Sequence, residues 1–490
     1  MSKIMIIGID SMDSVLLSKF EKDLPNLRRI KENSPDVRMI SVFPPDSDTA
    51  WASVYTGLNP AKHGVVHFLD PLEKSVTLQT QETDHSTVQG KTFWDFAGMH
   101  KKVCILLPHI GYPPWQVNGV MVARSSIGKG VKVFPESVAD NYDLSTLEGV
   151  GGVPSKREKS LKKFIEDHKR LISNEIKFSL EMLKADDWGV FFTYSSSLDA
   201  IQHYFWNYCD EADSTYQRGN PFKNVIKDFY ALYDVMVGKL ISSVDDETAI
   251  IILSDHGHGG RPPKQININE LLRISGFINV KNKNPTNNIL EKLKSKSVEW
   301  ISRYDLGWIA SKILKVFPKF KEFYSVSHSL DLNSSLAYVT DLSGIKAYTY
   351  GGIKINKDKL APDDYEIVRE KIIQILKREL AEKIIRIAKR EEVYYGEYLP
   401  KYPDILLQLK EGYGLGNKIN APVIDNAYTS NIVPGSHRGE TPVFFILNSN
   451  KEVIRKDMSL MDVAPTILDL LDIDWRRFDF DGESILEGSK

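Results

Sequence analysis

The sequence predicts an α/β fold in which a mostly parallel sheet is flanked by helices and an α+β subdomain is inserted. Three observations lead to it: short apolar runs that stop at Gly, Asp or His, amphipathic stretches of helical length between those runs, and a lysine-rich middle that breaks the alternation. At 490 residues the chain is longer than one core supports, since single cores stop growing near about 300 residues.

The first run, in KIMIIGIDSMD, gives way to Gly8 and Asp10. That is the pattern of a buried parallel strand ending at the carboxyl edge of a sheet, where ligands of α/β proteins gather. The run is too short for a signal peptide or a membrane span, and none elsewhere approaches about 18 apolar residues. VRMISVFPP near 37–45, KKVCILLPH at 101–109, DWGVFFTYSS at 187–196, TAIIILSDHGHG at 248–259 and TPVFFILN at 441–448 read as further strands feeding polar loops. AWASVYTGL from 50, residues 156–184, residues 224–242 and MSLMDVAPTILDLLDI at the far end read as helices.

Within 265–400, NILEKLKSKSVEW and DDYEIVREKIIQILKRELAEKIIRIAKR read as helices, and SSLAYVT and AYTYGGIKI as strands. The expected organisation is a discontinuous core at 1–265 and 400–490, with residues 266–399 as an inserted α+β cap and the turn-rich 135–185 as a lid insertion. There is no internal repeat and no sustained heptad.

Composition narrows the function classes. With 63 Lys+Arg against 65 Asp+Glu, a formal charge of -2, no nucleic acid polymer is expected as a partner. Two cysteines, Cys104 and Cys209, cannot build a disulfide framework and suit a reducing compartment. The expected location is the cytoplasm, with no membrane partner, and nothing in the sequence specifies an oligomeric state.

Chemistry concentrates in four places. SDHGHGG follows an apolar run and offers Asp255, His256 and His258 beside glycines that let the chain turn sharply. In SLDAIQHYFW, Asp199 and His203 stand four apart and share one face of a helix. With Asp10 and with His437, in PGSHRGETPVFF, Asp199, His203, Asp255 and His256 supply three carboxylates and three imidazoles, enough for two divalent ions with a phosphate between them. PPDSDTAWASVYTGLNPAKHG places the hydroxyls of Ser47, Thr49 and Ser53 at the start of a helix, where amide donors and the dipole favour phosphate, although Ser47 or Thr49 could equally cap that helix.

In their order along the chain, GIDSMD, PPDSDTAWASVYTGLNPAKHG, LDAIQHYFW, SDHGHG and PGSHRGETPVFF resemble the motifs of the alkaline phosphatase superfamily, in its type I phosphodiesterase and nucleotide pyrophosphatase branch. The likeness spans most of 1–265 and 400–490 and implies an alkaline-phosphatase-like fold. It also implies two divalent ions, most often zinc, with manganese, iron or cobalt as alternatives. One would be held by Asp199, His203 and His437, the other by Asp10, Asp255, His256 and the nucleophile hydroxyl. The family spacing to Thr56-Gly57 lands on Ser47 as nucleophile; Thr49 falls where relatives usually have proline and is the alternative.

The resemblance implies hydrolysis of a phosphodiester or nucleotide pyrophosphate in a small substrate, through a covalent seryl phosphate that water then cleaves from the opposite side. Alternatives within the superfamily are a phosphomonoesterase or phosphonate hydrolase, and outside catalysis a metal- or phosphate-binding protein. SDTAW lacks the proline and arginine of the sulfatase pattern. Secondary candidates are His258 as a supporting or orienting group, Arg124 and Arg438 as phosphate contacts, and Tyr112 and Trp115 as a leaving-group pocket or core. His63 is expected to be structural.

Overall fold

The computed structural model of the chain describes residues 2–65, 68, 83, 85–213, 215–281, 293, 296–316, 330–340 and 348–487. At its centre is a seven-stranded sheet in the order Phe444–Leu447, Ala249–Leu253, Ile4–Ile9, Val190–Ser195, Val103–Leu106, Gly119–Arg124 and Val131–Phe134. The five inner strands run parallel and the two edge strands antiparallel.

Every residue of Ile4–Ile9, Val190–Ser195 and Ala249–Leu253 is buried, as strands covered on both faces must be. Side chains alternate between two cores. Met5, Ile7 and Ile9 join the helices Glu158–Ala185, Ser197–Cys209 and Val225–Ile241, while Ile4 and Ile6 join Ser47–Thr56, Phe93–Gly98 and Val463–Leu470. Ile9 pairs with Ser195 and Gly8 with Leu253, so three adjacent parallel strands finish side by side.

Smaller sheets surround this layer. Ala337–Thr340, Tyr350–Ile355, Ile405–Leu409 and Ile384–Lys389 form an antiparallel sheet whose own core includes Ile372 and Leu376 of the helix Asp364–Leu380. Tyr413–Gly416, Lys264–Asn267 and Ile424–Asn426 form another, and Gly435–Arg438 pairs with Gly257–Gly260. Position 400 lies between Ile384–Lys389 and Ile405–Leu409, two strands that pair with each other. Within 135–185, Leu161, Phe164, Ile172, Phe178 and Met182 of the long helix belong to the first core.

Several expected elements differ. Residues 384–389, read as the end of a helix, form a strand: the helix stops at Leu380, and the β-branched run Ile384, Ile385, Ile387 pairs along Ile405–Leu409. The strand near 37–45 is confined to Arg38–Ile40, pairs with Asp457–Ser459 outside the main sheet, and is followed closely by Pro44 and Pro45, which have no N–H for a ladder. His437 lies in the strand Gly435–Arg438. Of the helix read at 288–300, residues 288–292, 294 and 295 lie outside the described residues, as does Ala347 of AYTYGGIKI. Among the described residues no helix is long and apolar enough to cross a membrane.

Phe192 is fully buried in the central sheet and packs on Tyr55, Phe93 and Trp94. Phe192→Ala is expected to destabilise the protein by about 3–5 kcal/mol in a denaturant titration.

Candidate metal centre

The three neighbouring strand ends deliver the carboxylates. Asp10 follows Ile4–Ile9 directly, Asp255 follows Ala249–Leu253 by one residue, and Asp199 lies in the first turn of the helix after Val190–Ser195. His203 is one turn along that helix, and His437 comes from the strand paired with Gly257–Gly260. Two clusters result, Asp199 with His203 and His437, and Asp10 with Asp255 and His256; within each, the potential ligand atoms lie within 4.8 Å of one another.

Backbone carbonyls orient all three imidazoles. His203 Nδ1 is 3.0 Å from the Gly435 carbonyl, His256 Nδ1 is 3.1 Å from that of Gly257, and His437 Nδ1 is 2.8 Å from that of Pro45. A carbonyl only accepts, so each Nδ1 carries the proton and each Nε2 presents a lone pair. His203 Nε2 and His437 Nε2 stand 3.0 Å apart, and Asp199 Oδ2 and Oδ1 lie 3.4 Å from them respectively. In the other cluster, His256 Nε2 is 3.1 Å from Asp255 Oδ2 and 3.8 Å from Asp10 Oδ1.

The donor set fits divalent cations. Asp10 Oδ1 and Asp255 Oδ2 are buried and make no hydrogen bond among the described residues, although such oxygens are costly to leave unsatisfied. Their partner oxygens are fixed. Asp10 Oδ2 accepts from Tyr194 Oη at 2.5 Å and Trp51 Nε1 at 3.2 Å, and Asp255 Oδ1 accepts from the Ser11 N–H at 3.2 Å. One oxygen is held and the other left bare, as a ligating carboxylate requires.

Ser47 is the first residue of the helix Ser47–Thr56, and its Oγ lies 3.1 Å from His256 Nε2. The cap of that helix is neither Ser47 nor Thr49 but Asp46, whose carboxylate accepts from the Thr49 N–H at 3.3 Å. Thr49 is buried, and its hydroxyl donates to the Val65 carbonyl at 3.3 Å. Ser53 is also engaged, 3.0 Å from His63 Nε2, while His63 Nδ1 accepts from the Val65 N–H; burial lowers His63 to about 3 and keeps it neutral. His63 is structural.

The remaining candidates sort by contact. His258 is fully buried beneath the triads, 2.7 Å from Ser11 Oγ and 3.6 Å from Asp199 Oδ1. Arg124 is engaged away from the triads by Glu175 at 2.8 Å and the Leu147 carbonyl at 3.0 Å. Arg438 pairs with Glu411. Trp115 donates to Asp95 and stacks on Trp94 in the second core, and buried Tyr112 donates to the Lys129 carbonyl, so these two are packing residues.

Three contributors escaped the sequence reading. His109, at the end of another parallel strand, has Nε2 2.7 Å from Asp48 and Nδ1 2.8 Å from the Tyr194 hydroxyl, extending the hydrogen-bonded chain that ends on Asp10. Its strand-end position was the available signal. Buried Arg261 donates to the carbonyls of Val433 at 2.6 Å and Gly435 at 2.8 Å, tying down the segment before His437. Tyr194 sits inside a strand, and nothing in its local sequence marks it.

Burial and then the charge of Asp199 raise Asp10 to about 6, and burial with the charge of Asp10 raises Asp255 well above the usual carboxylate range. Burial would also raise Asp199, but His203, His437 and His258 outweigh it and hold that carboxyl well below its usual range. For His437 burial acts downward, yet the contact with Asp199 wins and lifts it to about 9. Without cations Asp255 and His437 hold protons that a metal must displace, while Asp199 is already ionised. Proton release on metal uptake, read with a pH indicator at neutral pH, is therefore expected, with affinity rising from pH 6 towards 9 and falling as Asp10 becomes protonated below about pH 6.

The model of the type I phosphodiesterase / nucleotide pyrophosphatase family matches residues 4–437, a span that takes in both triads and Ser47. No curated protein matches the sequence. Among solved structures the chain is similar to human ectonucleotide pyrophosphatase / phosphodiesterase 5, at 13% identity and a TM-score of 0.52 over 100% of this chain and 97% of that one. It is similar to an inactive variant of the murine protein in complex with AMP, at 13% identity and a TM-score of 0.51 over 99% and 100% of the chains. Phosphonoacetate hydrolase from Sinorhizobium meliloti 1021, in complex with phosphonoformate, gives 15% identity and a TM-score of 0.51 over 94% of each chain. At these identities the likeness is one of fold. By its family match, the chain belongs to the type I phosphodiesterase / nucleotide pyrophosphatase family and is a hydrolase.

Proposed function

We propose that the protein hydrolyses phosphodiesters or nucleotide pyrophosphates in small substrates, with Ser47 as nucleophile. The carrying observation is the convergence of the two Asp/His triads with a serine hydroxyl at a helix N-terminus, 3.1 Å from His256 Nε2. Asp199, His203 and His437 would hold one divalent ion, and Asp10, Asp255 and His256, with Ser47, the other. Such ions lower the pKa of a bound hydroxyl and neutralise charge developing on phosphoryl oxygens. Nitrogen and oxygen donors without thiolate suit zinc, and also manganese, iron or cobalt.

The chain's own part is positional. Asp46 caps the helix and leaves Ser47 Oγ facing the triads, while the helix N-terminus favours the phosphate. Ser47 Oγ attacks phosphorus, the ester P–O bond breaks, and the leaving oxygen takes up a proton; water then cleaves the seryl phosphate and restores the hydroxyl. Diesters are favoured over monoesters, in line with the phosphodiesterase family to which the chain belongs. The inserted sheets are proposed as a cap shaping the leaving-group side. Cys104 and Cys209 are both unpaired, which suits the cytoplasm as the compartment.

Hydrolysis of bis-p-nitrophenyl phosphate and p-nitrophenyl phosphate by metal-loaded protein tests this reading. Diester preference is expected, with Ser47→Ala lowering kcat by about 10³-fold or more while both ions are retained. Thr49→Ala is expected to keep activity within about tenfold and to cost about 1 kcal/mol of stability, since it removes a buried hydrogen bond. Full activity in Ser47→Ala would sink the assignment of the nucleophile.

A further inference from the structure

Residues 281–324 hold ten Lys or Arg and four Asp or Glu, a net charge of +6 in a chain whose total is -2. The same stretch has seven aromatic residues from Trp300 to Tyr324. Within it, residues 296–303 and Gly307–Val316 are helical. One face of this pair is anchored. Ser302 is buried and accepts from Asn431 Nδ2 at 3.2 Å, and Asp305 accepts from the Lys156 N–H at 2.7 Å. Ile301, Ser302, Asp305 and Gly307 line a small cleft of about 20 Å³ together with Tyr204 and Pro434, the neighbours of His203 and Gly435.

On the other face several side chains are exposed among the described residues. Trp300 is 62% exposed and Tyr304, one turn on, 58%; among the described residues Trp300 is the only tryptophan exposed to this degree. Leu293, Leu306 and Ile313 extend the bare apolar surface. Cations are interleaved with it: Lys296, Arg303 and Lys312 are exposed, Arg303 lies over the Tyr304 ring and Lys312 over that of Trp308. Amphipathic aromatic rings flanked by lysine and arginine match a bilayer interface, where rings settle at headgroup level and the cations are attracted to an anionic surface.

We infer that this helix pair is a docking surface for an anionic lipid bilayer, and that the protein binds such membranes peripherally through Trp300, Tyr304 and Ile313. This departs from the expectation of no membrane partner. It is compatible with the absence of a spanning helix among the described residues, because the contact is interfacial. It would set the anchored side of the pair, and the cleft behind it, a short distance from the bilayer surface. The inference does not depend on the proposed hydrolysis.

Sedimentation of the full chain with phosphatidylcholine vesicles, with and without phosphatidylserine, at low and high salt, tests it. Binding is expected to favour the serine-lipid vesicles by about tenfold and to weaken in high salt. Trp300→Ser with Tyr304→Ser, and separately Lys296→Glu with Lys312→Glu, are expected to lose that binding while keeping esterase activity and melting temperature. Equal binding to both vesicle types, or none, would overturn the inference. So would binding that both double variants retain, or a concentration-dependent mass in sedimentation velocity that the aromatic substitutions abolish, which would make the face a contact between copies of the chain.

Discussion

Three carboxylates meeting at one edge of the sheet, Asp10 and Asp255 buried and Asp199 partly so, are the constraint on which the structure turns. Burial and the charge of Asp199 push Asp10 up, burial and the charge of Asp10 push Asp255 up, and Asp199 stays ionised because His203, His437 and His258 surround it. Such a cluster is unfavourable in the absence of cations or protons. It persists because the parallel register of Ile4–Ile9 with both neighbouring strands leaves no other place for these side chains. The two cores on either face of the sheet supply the hydrophobic stabilisation that offsets the cost.

Close backbone approach does the finer positioning. A Cβ on Gly257 would overlap Thr441 and Asp13, and one on Gly435 would overlap His258 and the Gln202 carbonyl, so both strands of the short ladder require glycine where they pass the site. Ser11, next to Asp10, adopts a left-handed φ of 64° that non-glycine residues seldom take. In that conformation its N–H reaches Asp255 and its carbonyl accepts from Gln202 at 2.8 Å, so a strained residue joins two strand ends and the helix bearing Asp199. The Gly435 carbonyl accepts from both His203 and Arg261, which links the orientation of one imidazole to a buried cation.

The fold and most of the ligand residues were legible from local signals, while their division into two triads came from the resemblance to the family's ordered motifs. Apolar runs ending at Asp10 or Asp255 mark strand ends, and Asp199 with His203 repeats at helical spacing. What was not legible depends on contacts between distant segments. The Ile384–Lys389 strand follows a strong helix and is decided by its partner Ile405–Leu409. Tyr194 looks like any core aromatic until Asp10 is seen beside its hydroxyl. Arg124 looks available for phosphate until Glu175, from a helix far along the chain, takes it. Helix capping misled in the opposite sense: Ser47 and Thr49 both read as possible caps, and only the folded geometry shows that Asp46 takes the task and frees Ser47.

The inserted region is bound into this arrangement rather than appended to it. Tyr350, in the four-stranded sheet, accepts from the Gly439 N–H at 3.2 Å, two residues beyond His437, and Tyr394 bonds the Phe43 carbonyl just before the nucleophile loop. Tyr348 lies under the Arg261 guanidinium at 4.8 Å. Each contact falls on a segment that carries a ligand or the serine, not on the ligand itself. The two groups of residues are held differently: Asp10 and Asp255 by the ends of buried parallel strands and Asp199 by the helix that follows one, while the segments next to His437 and Ser47 also bond Tyr350 and Tyr394.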